Sequence, residues 1–159
     1  MTYWRMQLHP SERGEAVRHT VESLAAGYIG LDFAVDVGDL LRVDRATLPD
    51  GQRDYWAFAH EMDVGDWALV FTHHFPFALA RVASEYNYIR HASPEIGVWF
   101  RHFREVDKVL YYGDFVTNAN TWERIPMTAT ITPLREIASQ SYQLIQRWLA
   151  ASDLEGMPE

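Results

Sequence analysis

The stretch Gly65-Asp66-Trp67-Ala68-Leu69-Val70-Phe71 decides how the rest of the chain is read. Its continuous apolar run is opened by a turn-forming Gly-Asp pair and closed by Thr72-His73-His74-Phe75-Pro76. A short run of this kind, bounded by turns, is the signature of a strand buried on both faces and central to the core. The next apolar run, Phe77 to Tyr88, turns polar and aromatic toward Glu85, Tyr86, Asn87 and Tyr88, and makes a hairpin with the first. After a loop from Arg90 to Gly97, Val98 to Tyr112 is a long strand pattern whose alternation slips around His102–Arg104. The slip predicts a bulge or bend there, and bends are how small sheets close into barrels.

On the N-terminal side, Tyr3 to Leu8 has strand character, and His9-Pro10-Ser11 ends it, with Ser11 as candidate N-cap. Val17, Thr20, Val21 and Leu24 recur at helical spacing, while Glu15, Arg18 and Glu22 take the other side. Gly27 stands where a left-handed C-cap residue is expected. Residues 25–33, AAGYIGLDF, are therefore a helix end running into a short strand. The glycine inside that strand predicts a bulge or a close approach of the backbone. Asp32, among apolar neighbours, must cap a helix, face water or accept specific hydrogen bonds, because a buried unpaired carboxylate is costly.

DVGD occurs twice, at 36–39 and 63–66, and reads as repeated turn chemistry because the flanks differ. Arg53 to Glu61 reads as a helix carrying Tyr55, Trp56 and Phe58. Thr132-Pro133 opens a C-terminal helix, threonine as N-cap and proline at the first helical position, with Ile137, Ser141, Leu144, Ile145 and Trp148 on one face. Residues 1–151 are expected to form one domain, and 152–159 a frayed tail or the start of a linker.

Composition narrows the function classes. A chain of 159 residues, 48% apolar, can supply one core without staples. With no cysteine there is no disulfide framework, thiolate zinc site or cysteine nucleophile, and a reducing, cytoplasmic setting fits. The start, MTYWRMQLHP, lacks the pattern of a secretory signal, and no stretch approaches the roughly 20 apolar residues of a membrane span. A net charge of −8 argues against loose electrostatic binding of nucleic acid but leaves room for a local basic patch. All but one of the 14 basic residues are arginine, and 14% of the chain is aromatic. These are the residues that fork onto phosphates and stack on bases.

Catalytic motifs are missing. His73-His74 sits on no metal-ligand spacing, and adjacent strand histidines point to opposite faces, so no metal site is assigned. G-x-S-x-G, the P-loop and G-x-G-x-x-G are absent. A base deaminase would need cysteine ligands. The reading is of a protein without catalytic residues and without a cofactor.

The order of elements is informative where single motifs are not. A strand beginning Tyr3-Trp4, a helix, the Gly27-to-Asp32 segment, the Gly65-Asp66 strand, the Ala80-Arg81-Val82 strand and a long arginine-bearing strand together resemble the EVE-like group of the PUA superfamily, relatives of YTH domains. The resemblance covers about residues 3–112 and implies an α+β fold, a small twisted β-barrel flanked by helices. It also implies a pocket that takes a flipped, modified base between aromatic walls. One wall falls on Tyr28, Ile29, Gly30, Leu31, Asp32 and Phe33. The other falls on Phe71, His73, Phe75, Tyr86 and Tyr88. The tryptophan that YTH domains place after their first helix is Tyr28 here, leaving Trp56 and Trp99 as further stacking candidates. Arg101, Arg104 and Lys108 form the densest basic stretch and are assigned to the nucleic-acid backbone, with Arg5, Arg13 and Arg42 as lesser contacts.

Physically, aromatic walls satisfy the base faces, and a carboxylate such as Asp32 accepts from the exocyclic amine of cytosine or adenine. The implied function is a non-catalytic reader of a modified base in double-stranded DNA, methylated or hydroxymethylated cytosine first and methylated adenine second. It would serve as the recognition module of a modification-dependent restriction or defence system, any nuclease lying in another domain or subunit. Alternatives are a YTH-like reader of modified RNA and a small-molecule enzyme using the same pocket. The competing structural reading places the aromatics in the core and makes Asp32 an ordinary cap.

Overall fold

The computed structural model describes residues 1–8, 16–72, 74–96, 100–112, 124–126 and 129–155. The buried run forms β3 (Trp67–Thr72), hydrogen-bonded antiparallel to β4 (Phe75–Val82) on one side and parallel to β1 (Tyr3–Gln7) on the other. All six β3 residues are buried, and they alternate between two cores. Ala68 and Val70 face one with Trp4, Met6, Ile29, Phe58 and Ala80; Leu69 and Phe71 face the other with Leu79, Leu134, Leu144 and Ile145. Each fully buried Leu or Phe contributes about 1.5–3 kcal/mol, so a strand shared by two cores is where the fold is most strongly specified.

The remaining strands are β2 (Tyr28–Leu31), β5 (Asn87–Tyr88), β6 (His102–Tyr111) and β7 (Ile131–Leu134), and the helices are α1 (Ala16–Ala25), α2 (Trp56–His60) and α3 (Gln140–Glu155). The strand order is β2-β6-β4-β3-β1-β7, with β5 beside β6. This mixed sheet curls into a half-barrel. The curl is concentrated in β6, whose first four residues pair with β2 and β5 while its second half pairs with β4. Between the halves the register shifts: Val82 opposes Val106 and Arg81 opposes Lys108, leaving Asp107 unpaired. The irregularity predicted at His102–Arg104 is therefore at Asp107, whose carboxylate receives both Nε and Nη2 of Arg81 at 2.9 Å.

The turn readings explain themselves in atoms. Gly65 takes φ +95°, a value open to glycine, and delivers Asp66 into the core. There the buried carboxylate accepts from the Thr2 and Asp63 amides at 2.8 and 3.0 Å and from Trp4 Nε1 at 2.9 Å. These bonds tie the beginning of β1 to that of β3. In the other DVGD, Asp36 accepts from the Gly38 amide and Asp39 caps a 3₁₀ turn, Leu40–Arg42, through the Leu41 amide.

The C-terminal expectation needs correction. Thr132-Pro133 does not open a helix: it lies inside β7, with Pro133 opposite Trp4 and Thr132 opposite Arg5. An edge strand tolerates a residue without an N–H, and pairing with β1 outweighs the local helix-start signal. The helix begins at Gln140, after Ser139, whose hydroxyl accepts from the Tyr142 amide. Among the described residues no helix is long and apolar enough to cross a membrane.

Candidate functional site

β2 carries the stretch that the sequence singles out. Ile29 and Leu31 are buried in the core, in the same cluster as Phe33 and Tyr86. Gly30 is indeed a point of close approach, but by the protein: a Cβ there would stand 2.4 Å from the His102 carbonyl oxygen and 2.6 Å from the Phe100 ring. Tyr28, partly buried, meets Phe103 edge-on at 5.5 Å. Asp32 follows the strand end and neither caps a helix nor stays free. It accepts from Arg101 Nε at 2.7 Å, from the Arg101 amide at 3.2 Å and from the Phe33 amide at 2.8 Å, while Arg101 Nη2 donates to the Phe33 carbonyl at 2.5 Å. Two candidate residues, one assigned to a base and one to phosphate, thus spend their charge on each other.

Arg104 is also corrected. It is 1% exposed, and its guanidinium donates to the carbonyls of Phe58 (2.9 Å), Ser84 (3.0 Å) and Met62 (2.6 Å) over the Phe58 ring. It clamps the segment after α2 to β6 and cannot touch a phosphate. Of the other basic candidates, Arg42 and Lys108 are exposed, on a 3₁₀ turn and on the second half of β6. Arg5 is half-buried on β1, which pulls its pKa down. Phe71 belongs to the core under α3, away from the base-pocket candidates, and Phe75 begins β4 beside it. Trp56 stacks on His60 at 3.9 Å, with Arg45 over the ring at 5.8 Å. His73, Trp99 and Arg13, and the Ser11 cap, lie outside the described residues.

What the fold does bring together is Phe33, Tyr86 and Tyr88, around a residue that the sequence reading did not place in the pocket, His102. It is fully buried at the start of β6. Phe33 meets its ring edge-on at 5.4 Å, Tyr86 stacks at 5.9 Å and Tyr88 lies at 5.1 Å. Tyr88, half-buried, donates its hydroxyl to Asp36 Oδ2 at 2.6 Å. That hydrogen bond, and then the one from the Gly38 amide, hold the Asp36 carboxyl below the ordinary carboxylate range. Asp32, Asp36, Asp39 and Arg101 all act electrostatically on His102, and Arg101 lies 2.7 Å from Asp32 and 3.8 Å from Asp36.

The chain matches no protein-family model and no curated protein. The chemistry of the site has to be read from its own atoms.

Tyr86 and His102 are linked at 2.6 Å through Oη and Nδ1, and Tyr86 Oη also accepts from the Leu40 amide at 3.0 Å. The phenol proton therefore goes to Nδ1. The reverse arrangement, with Nδ1–H donating, would leave both the phenol proton and the Nε2 lone pair without a partner among the described residues. Burial outweighs the opposing pull of Asp32, Asp36 and Asp39 and, with Arg101 adding to it, brings the His102 pKa down to about 4. The ring is neutral at pH 7, with its one proton on Nε2. Its basic lone pair is committed to Tyr86, so it offers the site a donor and not a base.

This assignment predicts a pH dependence. In the unfolded chain His102 titrates near the ordinary 6.5, and in the folded chain near 4. Between these values only the unfolded state takes the proton, so stability contributed by the neutral ring is fully present above pH 6.5 and lost as pH falls through 4. The loss amounts to about 3 kcal/mol at most. Urea midpoints measured from neutral to acid pH should fall more steeply for the wild type than for His102→Asn; equal slopes would remove the assignment.

Proposed function

We propose that the chain is a non-catalytic reader of a modified base in DNA, an EVE-like member of the PUA superfamily acting as the recognition module of a modification-dependent restriction or defence system. The observation that carries this reading is the gathering of Phe33, Tyr86 and Tyr88 about a neutral, buried histidine, with the Asp36 carboxylate held by Tyr88. Aromatic faces stack on a flipped base for about 1–3 kcal/mol each. Carboxylate oxygens accept from an exocyclic amine, which cytosine and adenine carry and thymine does not. The acid for that task is Asp36, since Asp32 belongs to Arg101. Asp36 Oδ1 and Oδ2 hold one hydrogen bond each, to the Gly38 amide and Tyr88, with Arg101 Nη1 at 3.8 Å from Oδ2, against 2.7 Å between Arg101 and Asp32, and a carboxylate has about four acceptor positions. The half-barrel with its order of strands is consistent with the EVE-like resemblance, and Arg90, which acts electrostatically on Tyr88, joins Arg42 as an exposed cation for the phosphates.

Methylated or hydroxymethylated cytosine is the first expected substrate and methylated adenine the second. Duplexes that differ in one base test this, read by fluorescence anisotropy at fixed salt, since affinity to phosphates is salt-dependent. Tighter binding of a duplex carrying 5-methylcytosine, 5-hydroxymethylcytosine or N6-methyladenine than of its plain twin is expected. Equal affinity for all would sink the proposal, and preference for the ribose twin would move it to RNA.

A further inference from the structure

We infer that His102 Nε2–H is the group that reads the inserted base, donating to a ring-nitrogen acceptor on its edge. The inference rests on the base-reading proposal and supplies the contact which that proposal lacks. Nε2 is buried and has no hydrogen-bond partner among the described residues. Buried donors are nearly always satisfied, and an unsatisfied one disfavours the folded state, so an orphan of this kind marks a place where a partner arrives. Its proton is held there by construction. The Leu40 amide fills the acceptor side of Tyr86, Tyr86 fills Nδ1, and the only proton-bearing atom left over is the one among the aromatic rings. A neutral imidazole in this tautomer presents a donor and no acceptor, which selects a ligand by the atom it offers.

Cytosine and adenine both fit that demand. Each has an unprotonated ring nitrogen beside its exocyclic amine, so one edge gives an acceptor for His102 and a donor for Asp36. Guanine and thymine carry N–H at the corresponding ring position and would set donor against donor. The hydrogen bond from Tyr88, whose ring lies against the imidazole, to Asp36 is exposed and therefore inexpensive to open.

The test uses the full chain and two independent perturbations. On the DNA side, a duplex with 5-methylcytosine is compared with one carrying its 3-deaza analogue, which lacks the ring acceptor and keeps amine and methyl. On the protein side, His102→Asn keeps an acceptor for Tyr86 and removes the distal donor, whereas His102→Gln restores a donor near the Nε2 position. Wild type is expected to lose roughly 5- to 150-fold in affinity on the 3-deaza duplex. His102→Asn should lose as much on the natural modified base, show no further loss on the analogue, and recover in part as His102→Gln. If His102→Asn fails to fold, the wild-type comparison of the two duplexes decides alone. If wild type prefers the modified duplex but binds the 3-deaza analogue equally well, the His102 assignment is overturned and the reader stands. If wild type shows no preference for any modified duplex, the reader proposal falls and takes the assignment with it.

Discussion

Arg104→Ala is expected to cost about 4 kcal/mol of folding stability and to lower the melting temperature by roughly 10 °C. The side chain is buried, and three carbonyls, those of Phe58, Met62 and Ser84, depend on it. Removing it orphans two buried acceptors and one partly buried one, and opens a cavity where the guanidinium lay over the Phe58 ring. Arg104→Met separates the two effects: it fills much of the space and leaves the carbonyls unsatisfied. It should remain strongly destabilised, because satisfying those acceptors and not volume is the main task. Arg104→Lys should fall between, since an ammonium cannot reproduce the fixed fork of a guanidinium. Denaturant midpoints give the ranking, and an Arg104→Met variant as stable as wild type would refute the clamp. A weakened DNA affinity in any of these variants would follow from lost structure and is no evidence of a phosphate contact.

Gly30→Ala is the second large effect, about 3 kcal/mol or more. The added carbon would fall 2.4 Å from the His102 carbonyl oxygen, an atom of β6 backbone that pairing with β2 holds in place. Overpacking normally costs about 1–3 kcal/mol, and here it can be relieved only by separating two strands. Gly38→Ala provides the contrast. Nothing lies within 4 Å of its added carbon, and its φ of +80° alone is at stake, so about 1–2 kcal/mol is expected. If thermal melts put Gly38→Ala below Gly30→Ala, steric contact at Gly30 was overestimated. Because the same carbonyl belongs to His102, Gly30→Ala should also disturb the tautomer that Tyr86 fixes, visible in the imidazole nitrogen shifts of whatever folded protein remains.

These two positions show where sequence reading succeeds and where it stops. The β3–β4 hairpin was legible because a contiguous apolar run needs two cores, and the Leu69/Val70 alternation between them supplies both. The helix before Gly27 was legible from spacing and from the C-cap. Thr132-Pro133 misled because a local start signal contains no information on the distant strand, β1, that claims the segment. The position of the β6 bend was missed for a similar reason: Asp107 is held out of the ladder by Arg81, 26 residues away in sequence. Phe33, Tyr86 and Tyr88, which the resemblance distributes over two walls, lie together about His102. Asp32 and Arg104 were misassigned because their partners lie far along the chain, at Arg101 for the first and at Phe58, Met62 and Ser84 for the second. One usable signal was present: in a strand, His102, Arg104 and Val106 share a face, and Val106 is an inward residue. That spacing places both the histidine and the arginine inside, and turns Arg101 the other way.

The change of partners along β6 has a consequence for how such a protein can diversify. Its first four residues and their neighbours carry the aromatic site, while its second half joins β4 in the sheet that β3 organises. The extra residue at Asp107 uncouples the two registers, so exchanges near Phe33, Tyr88 or His102 do not propagate as slips into the ladder beyond it. Side chains can change on one side of that seam while the scaffold on the other side is inherited unchanged.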